Sequence, residues 1–168
     1  MPASNYEREL KGILEADTDT LKKVIKKCDA DGSRKYLLIE RKPFLVVRGA
    51  GSMGFDLIAV RCDMSMPIEV KSSSSGIVPF TSNSARETKQ AELFRIRCER
   101  VGLFPLYALR LKNARGDPWR VFTLNISVSK EVEWIHRELP VIDRTKSNNY
   151  IMKWEKGKPL GDFIELIC

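Results

Sequence analysis

Residues Gly51 to Gly76, GSMGFDLIAVRCDMSMPIEVKSSSSG, contain two apolar runs of strand length, FDLIAVRC and MPIEVKS. Charged residues interrupt both runs, because Asp56 lies in the first while Glu69 and Lys71 lie in the second. Residues two apart on a strand project to the same face, so Glu69 and Lys71 share one side. If the runs pair antiparallel about a turn near 62–66, Asp56 lies opposite or diagonal to Glu69, within roughly 5 to 8 Å.

This arrangement would bring two carboxylates and one ammonium group together among apolar residues. One interpretation is a buried ion pair of Lys71 with one acid, but such a pair is costly to desolvate and leaves the second carboxylate without a counter-charge. A divalent cation would neutralise that charge, and Mg²⁺ binds a few carboxylate oxygens together with water molecules. A metal-bound water can attack a phosphodiester, and Lys71 would orient that water or stabilise the developing charge. The pattern therefore predicts a Mg²⁺ site, with a structural ion pair as the alternative.

The composition is that of one globular domain, since 43% of the 168 residues are hydrophobic and 30% are charged. The net charge of +7 and the pI of about 9.3 favour a polyanionic partner, with nucleic acid the first class to consider. No apolar run has the length of a membrane span or the character of a signal peptide, so we expect a cytoplasmic protein without a membrane partner. The cysteines are scattered without a C-x-x-C pair, which predicts reduced thiols and no zinc site.

Hydrophobic spacing and turn residues predict the remaining elements. An amphipathic helix is expected over 6–14 with Ser4 or Asn5 as its N-cap, followed by a helix over 18–32 that ends at Gly32 and has a basic outer face. Strands are expected at 36–49, 55–62, 66–72, 103–112, 118–128, 148–155 and 161–168. The other predicted elements are a flexible Ser-rich loop at 71–84, the strongest helix at 85–102 and a short helix at 131–139.

Asp56, a gap and then Glu69-x-Lys71 resemble the PD-(D/E)XK nuclease motif, although Phe55 stands where the motif has its proline. Three segments are similar, in this order, to the archaeal Holliday-junction resolvases: EREL at Glu7–Leu10, VVRGAGS at Val46–Ser52 and IEVK at Ile68–Lys71. The resemblance implies an α/β, restriction-endonuclease-like fold with a mixed central sheet flanked by helices. It also implies a nucleoid-associated endonuclease that uses Mg²⁺, or Mn²⁺ in its place, resolves four-way DNA junctions and needs no small-molecule cofactor.

The resemblance also assigns residues to the metal site. In that family the first glutamate of the ERE stretch completes the site, which implies a role for Glu7. Helical spacing alone does not choose between Glu7 and Glu9, because both flank the apolar stripe of their helix. The Val70 carbonyl is a further ligand that the resemblance implies. The expected catalytic residues are Glu7, Asp56, Glu69 and Lys71, and the expected metal ligands are Glu7, Asp56, Glu69 and Val70.

DNA contacts are expected from three parts of the chain. By resemblance, the phosphate contacts are Arg8, Arg48 and Ser52. Arg86, Lys89 and Gln90 lie beside the apolar face of the helix at 85–102 and would follow a DNA backbone, with a solvated basic face as the alternative. The run that begins at Ser72 would order over bound DNA, or else be a plain flexible loop.

Symmetry adds an expectation about assembly. Resolving a junction requires two opposed cuts, and one site makes only one, so a homodimer with twofold symmetry is expected. The apolar stretches 104–111 and 119–124, with Trp134, would supply its interface. The resemblance covers 5–16 and 43–112, which makes 17–42 an insertion and 130–168 a C-terminal extension of a single nuclease domain spanning 1–168.

Two other functions remain open from the sequence. A nuclease of the same fold could act in restriction or repair on another DNA substrate. A catalytically silent DNA-binding module would share the basic composition, but the four residues Glu7, Asp56, Glu69 and Lys71 argue against it.

Overall fold

The computed structural model of the protein describes residues 4–49, 54–81 and 85–168. Its α-helices are α1 (Asn5–Leu14), α2 (Thr18–Ile25), α3 (Ala30–Leu37), α4 (Ala85–Arg100), α5 (Lys130–Arg137) and α6 (Leu160–Ile167). Its strands are β1 (Leu45–Arg48), β2 (Leu57–Arg61), β3 (Met64–Ser73), β4 (Ile77–Pro79), β5 (Leu106–Leu111), β6 (Trp119–Phe122), β7 (Asp143–Arg144), β8 (Tyr150–Lys153) and β9 (Lys158–Pro159). Short 3₁₀ helices span Leu38–Arg41 and Trp154–Lys156. Within these residues, no helix combines the length and apolar character needed to cross a bilayer.

The main sheet is mixed and has the strand order β1-β2-β3-β5-β6-β9. The first three strands pair antiparallel in sequence, and β3 then pairs parallel with β5 through the crossover that contains α4. A smaller sheet has the order β4-β8-β7. Side chains on both faces of β5 are buried, as expected for the interior of a sheet covered on two sides. The predicted α/β architecture, a mixed central sheet flanked by helices, is confirmed.

A capping box starts α1 and holds Glu7 in its first turn. The Ser4 hydroxyl accepts a 3.1 Å hydrogen bond from the Glu7 N–H, and Glu7 Oε1 accepts a 3.2 Å bond from the Ser4 N–H. Ser4 is therefore the N-cap, which resolves the choice between Ser4 and Asn5. Leu10, Ile13 and Leu14 of the same helix are buried in the core. Glu7 precedes Leu10 by about one helical turn and Leu14 by about two, so it lies half-buried at the end of this apolar stripe.

The prediction of a single helix over 18–32 is wrong. This segment contains all of α2 and the beginning of α3, which continues to Leu37. The first, α2, ends at Ile25, and Asp29 then caps α3 by accepting a 2.7 Å hydrogen bond from the Gly32 N–H. Gly32 thus lies inside the second helix and does not end the first. An aspartate three residues before a helical N–H is a start signal, and it outweighs the glycine as a stop signal.

Two predicted strands are helical where the structure describes them. Residues 36–41 complete α3 and a 3₁₀ turn, so the strand expected at 36–49 is confined to Leu45–Arg48. The strand expected at 161–168 is the helix α6, whose residues Leu160, Phe163, Ile164 and Ile167 are buried at helical spacing. Short apolar runs fit both periods, and tertiary packing decides between them. The predicted helix at 131–139 and the strand within 148–155 are confirmed as α5 and β8.

The described part of the predicted Ser-rich loop, residues 71–81, contains strand residues and a tight turn. Strand β3 continues to Ser73, and β4 pairs with β8 at Ile77–Pro79. The Ser73 hydroxyl accepts hydrogen bonds of 3.1 Å from the N–H groups of Ser75 and Gly76, which closes a tight turn between the two strands. Residues 82–84 lie outside the described part of the chain.

The stretches expected to form a dimer interface lie in the interior. Phe104, Leu106, Trp119 and Val121 are at most 2% exposed, so they form core contacts and offer no surface to a second copy. This part of the interface prediction is wrong, because the run of apolar residues reflects a strand covered on both faces. Trp134 is the exception, with 49% of its surface exposed.

Candidate active site

Asp56 and Glu69 face each other at one end of the β2–β3 pair. The register pairs Leu57 with Ile68, and the Asp56 N–H donates a 2.9 Å hydrogen bond to the Ile68 carbonyl. Asp56 is therefore across from Glu69, and the predicted antiparallel pairing is confirmed. Leu57 and Ile68 are fully buried, whereas both acidic residues are half-buried, so the core holds the strands while the carboxylates remain at its rim.

Main-chain groups hold Asp56 in position. The Val70 N–H donates a 2.7 Å hydrogen bond to Asp56 Oδ2, and the Gly49 N–H donates a 2.7 Å bond to the Asp56 carbonyl. Gly49 has no room for a side chain, because a Cβ there would lie 2.5 Å from the Phe55 carbonyl oxygen. This glycine therefore allows the end of β1 to approach the residues before β2 closely enough to fix the Asp56 backbone.

Lys71 pairs with one of the two carboxylates. Its Nζ lies 2.8 Å from Glu69 Oε1, and the two side chains project from the same face of β3, as predicted. The ion pair that the sequence offered as the alternative is thus present. It leaves Asp56 without a cationic side chain within 4 Å in the described residues, so the pair does not account for both acids.

The pKa values of Asp56 and Glu69 are both raised, so the site disfavours the state in which both carboxyl groups are ionised. Burial raises the pKa of Glu69 to about 7, with Lys71 opposing the rise and Asp56 adding to it. Burial also raises the pKa of Asp56, against the lowering effect of the Val70 N–H, and the charge of Glu7 adds to the rise. The two carboxyl groups are close enough for a protonated Glu69 to donate a hydrogen bond to Asp56. A bound cation would favour the ionised forms of both groups and replace the shared proton.

The structure separates the roles of Glu7 and Glu9. Glu9 Oε1 accepts hydrogen bonds of 2.8 Å from Arg110 Nε and from Trp119 Nε1, so it neutralises a buried arginine. Glu7 lies 3.6 Å from Arg48, and its charge contributes to the raised pKa of Asp56. Glu7 is thus the glutamate of α1 whose charge acts on Asp56, while Glu9 is engaged elsewhere.

The residues present fit a hydrated Mg²⁺ better than a site made only of side chains. The described residues contain no group of three or more Asp, Glu, His or Cys side chains arranged to hold a metal ion. Glu7 is engaged by the Ser4 N–H and by Arg48. Asp56 and Glu69 supply two carboxylates with raised pKa values, and Mg²⁺ commonly binds one or two carboxylates while keeping several waters. The participation of Glu7 and of the Val70 carbonyl stays a prediction.

A small cavity beside Glu69 contains a polar group that the sequence did not single out. The cavity has room for about one water molecule, with a volume of ≈ 10 Å³. Tyr107 lines it, and the hydroxyl of this tyrosine is the one buried side-chain polar atom of the described residues without a hydrogen-bond partner. Glu69 and Tyr107 are neighbours in the parallel β3–β5 register, which sequence patterns do not specify. The full lining is Gly54, Glu69, Lys71, Phe80, Glu87, Gln90, Ala91 and Tyr107.

The predicted DNA-contact residues differ in their distance from the carboxylates. Gln90 lines the cavity beside Glu69 and Lys71, and Arg48 contacts Glu7, so these two belong to the site region. Ser72 follows Lys71 and is exposed on the opposite face of β3. Arg8, Arg86 and Lys89 are exposed on the first turns of α1 and α4. Ser52 lies outside the described residues.

Comparison with known proteins supports the fold. No protein-family model matches the chain, and no curated protein matches it. Among solved structures, the chain is similar to Archaeoglobus fulgidus Hjc, a Holliday junction resolvase from an archaeal hyperthermophile. The match has a TM-score of 0.52 and 18% sequence identity, and covers 98% of this chain and 100% of the other. The chain therefore shares the fold of that resolvase over nearly its whole length.

Proposed function

We propose that this protein is a Mg²⁺-dependent, structure-selective DNA endonuclease that resolves four-way junctions by paired nicks. The observation that carries the proposal is the Asp56–Glu69 pair, with Lys71 2.8 Å from Glu69 and the pKa values of both acids raised. The fold shared with a protein described as a Holliday junction resolvase supports it, as does the net charge of +7. Such an activity would place the protein on chromosomal DNA.

Each residue of the site has a distinct proposed role. Asp56 and Glu69 would hold the metal ion, with the Val70 carbonyl and Glu7 as further ligands. The bound metal would supply an activated water and stabilise negative charge on the phosphate. The Val70 N–H orients Asp56 for this task, and Lys71 would orient the attacking water or stabilise the developing charge.

DNA would approach the site across the basic residues around it. Arg8, Arg48, Ser52 and Ser72 would contact phosphates near the cut, while Arg86, Lys89 and Gln90 would follow the backbone along α4. Gln90 is the best placed of the α4 residues, because it lines the same cavity as Glu69 and Lys71. Phosphate contacts of this kind position the duplex without reading its sequence, as a structure-selective enzyme requires.

The paired cuts require two sites, for which we propose a homodimer. Since the interior strands are unavailable, the surface for a second copy would be the outer face of β1 and β2. Leu45 and Val47 lie on this face and are 68% and 51% exposed, and Val60, the register partner of Leu45, is 38% exposed. These residues form an apolar patch at the free edge of the sheet, where a twofold partner would cover it.

A silent DNA-binding module is the second candidate. One observation favours it: the described residues bring together no third acidic side chain that would complete a metal site with Asp56 and Glu69. A nuclease with another branched or linear substrate would keep the same site and differ only in its DNA preference.

A cleavage assay separates these functions. The protein would be incubated with labelled junction, flap, linear duplex and single-stranded DNA, with Mg²⁺, with Mn²⁺ and with EDTA. We expect metal-dependent cleavage of the junction and little cleavage of linear duplex. Equal rates on all substrates would favour a nuclease of another type, and tight binding without cleavage in either metal would favour the silent module.

A further inference from the structure

A groove between α1 and α2 carries an excess of positive charge. It consists of two adjoining cavities of ≈ 250 and ≈ 400 Å³, both lined by Glu9 and Lys23. The other lining residues are Asn5, Arg8 and Thr20 in the smaller cavity and Val24, Lys26, Lys27, Arg110 and Pro118 in the larger. We call this surface the α1–α2 groove.

The acid in the groove is already neutralised, and its lysines are not. Glu9 is hydrogen bonded to Arg110 and Trp119, at 2.8 Å in each case. Within the described residues, none of the three groove lysines, Lys23, Lys26 and Lys27, lies within 4 Å of a carboxylate, and all three are exposed. The groove therefore offers an anion three ammonium groups that form no ion pair within 4 Å in the described residues.

On the neighbouring helix α3, in contrast, basic side chains form ion pairs. On α3, Lys35 lies 2.8 Å from both Asp31 and Asp162, and Arg34 lies 2.7 Å from Glu165. The pairs with Asp162 and Glu165 attach α3 to α6. The groove lysines make no such contacts. Cations near the C-terminal end of α2 would stabilise the helix through its dipole, but one or two lysines would suffice for that effect, so it does not account for all three.

The groove begins next to the candidate active site. Arg8, which lines it, follows Glu7 directly in α1. Arg110, at its other end, comes three residues after Tyr107, the register partner of Glu69, which corresponds to about 10 Å along the strand, and its side chain projects from the face of the sheet opposite to Glu69. A DNA duplex covers that distance in about three base steps. An arm of DNA whose cleaved phosphate is at Glu69 would therefore reach the groove past the first turn of α1, where Glu7 and Arg8 lie.

We propose that the α1–α2 groove binds the phosphodiester backbone of a DNA arm leading away from the cut, through Lys23, Lys26 and Lys27. This inference rests on the proposed nuclease function and gives the segment 17–42 a role in it. The spacing of the three lysines along the chain suits successive phosphates, and no base contact is needed because the ligand is the repeating backbone.

The test is the salt dependence of DNA binding by the triple variant Lys23→Ala/Lys26→Ala/Lys27→Ala, measured by fluorescence anisotropy on a four-way junction in EDTA. Each lost phosphate contact should reduce the slope of log K against log salt by about 0.9, and lower the affinity about fivefold near 0.15 M salt. We expect a loss of two to three contacts, without a change in the thermal unfolding midpoint comparable to that of a core substitution.

Two control variants distinguish the groove from bulk charge. Lys22→Ala removes an exposed lysine of the same helix that does not line the groove. Arg41→Ala/Lys42→Ala removes two exposed charges next to the Leu45–Val60 end of β1 and β2, away from Arg48 and Asp56. Both controls should leave the slope nearly unchanged. Slopes that fall in proportion to the charge removed, wherever it lies, would overturn the inference.

The outcomes also separate this inference from the proposed function. If the wild-type protein cleaves the junction while the triple variant binds it with an unchanged slope, the groove assignment is wrong and the nuclease proposal stands. If the wild-type protein does not bind DNA at all, both fail together.

Discussion

The Val70 N–H donates a 2.7 Å hydrogen bond to Asp56 Oδ2, so the strand that carries Glu69 and Lys71 also orients the second carboxylate. Asp56→Asn keeps an acceptor oxygen for this bond and removes the charge. Loss of a residue that only hydrogen bonds to a metal ligand typically lowers metal affinity or activity by about 10- to 100-fold. Loss of the ligand itself should do more, so we expect the rate of cleavage with Mg²⁺ to fall by about 100-fold or more. DNA affinity should be retained or increased, because a charge that repels phosphate is lost.

A matched control lies in the same hairpin. Asp63→Asn changes an aspartate in the β2–β3 turn, where Asp63 pairs with Arg61 at 2.5 Å, far from the carboxylate pair along both strands. We expect it to cleave like the wild type. Cleavage by Asp56→Asn at the wild-type rate would show that Asp56 holds no metal.

Glu69 should make metal binding depend on pH near neutrality. Its pKa is raised to about 7 by burial first, with Lys71 opposing and Asp56 adding to the rise. Because Mg²⁺ binds the ionised carboxylate, its affinity measured by calorimetry should fall about tenfold per pH unit below 7 and level off above. Affinity that is constant from pH 5.5 to 8 would contradict this assignment.

The same pKa also predicts how the metal-free protein responds to pH. Since the pKa of Glu69 rises from 4.5 to about 7 on folding, its contribution to the free energy of unfolding is fully present below pH 4.5. The contribution is lost as pH rises through about 7, by up to about 3 kcal/mol, and Asp56 acts in the same direction. Glu69→Gln should flatten this decline in urea unfolding curves measured in EDTA.

Substitution of Glu7 should affect cleavage and leave stability nearly unchanged, whereas substitution of Glu9 should mainly lower stability. Glu7→Gln retains the capping box, because glutamine can also accept from the Ser4 N–H, so stability should change by less than about 0.5 kcal/mol while cleavage falls. Glu9→Gln removes the charge that compensates buried Arg110, and should lower the free energy of unfolding by about 2 to 4 kcal/mol. Urea unfolding and a junction cleavage assay on both variants test this, and the reverse pattern would exchange their roles.

Asp117 should be a stability residue without a part in cleavage. Its carboxylate accepts hydrogen bonds from the Tyr36 hydroxyl at 2.7 Å and from the Trp119 and Gly161 N–H groups, both at 2.9 Å. It thereby joins α3, β6 and α6. Asp117→Ala leaves three donors unpaired and should lower the free energy of unfolding by about 2 to 4 kcal/mol. Cleavage by the folded fraction should be unchanged, and a loss of activity without a loss of stability would contradict this role.

The carboxylate pair was predictable from the sequence because it depends on local rules. The period of a strand places Glu69 and Lys71 on one face, and a short connection between β2 and β3 brings Asp56 across from them. The choice of Glu7 over Glu9 was not derivable from spacing. It depends on Arg110 and Trp119, which follow Glu9 by more than a hundred residues in the chain.

Other features depended on tertiary contacts in the same way. The apolar residues of 161–168 fit a strand or a helix, and burial against α3 selects the helix α6. Tyr107 reaches Glu69 only through the parallel pairing of β3 with β5, and parallel register has no local signal. The buried apolar strands suggested an interface for the same reason, since a sequence does not show which apolar surface the core already uses.

The symmetry of cleavage on a four-way junction tests most sharply whether the Asp56–Glu69 site is that of a junction-resolving nuclease. Each of the four strands would be labelled in turn, and initial rates with Mg²⁺ would be compared with those on a linear duplex of the same arm sequence, for the wild type and for Asp56→Asn. We expect nicks in two opposed strands, a rate on the junction at least about tenfold above that on the duplex, and loss of both nicks in Asp56→Asn. Equal rates on junction and duplex, or cleavage that survives Asp56→Asn, would contradict this expectation.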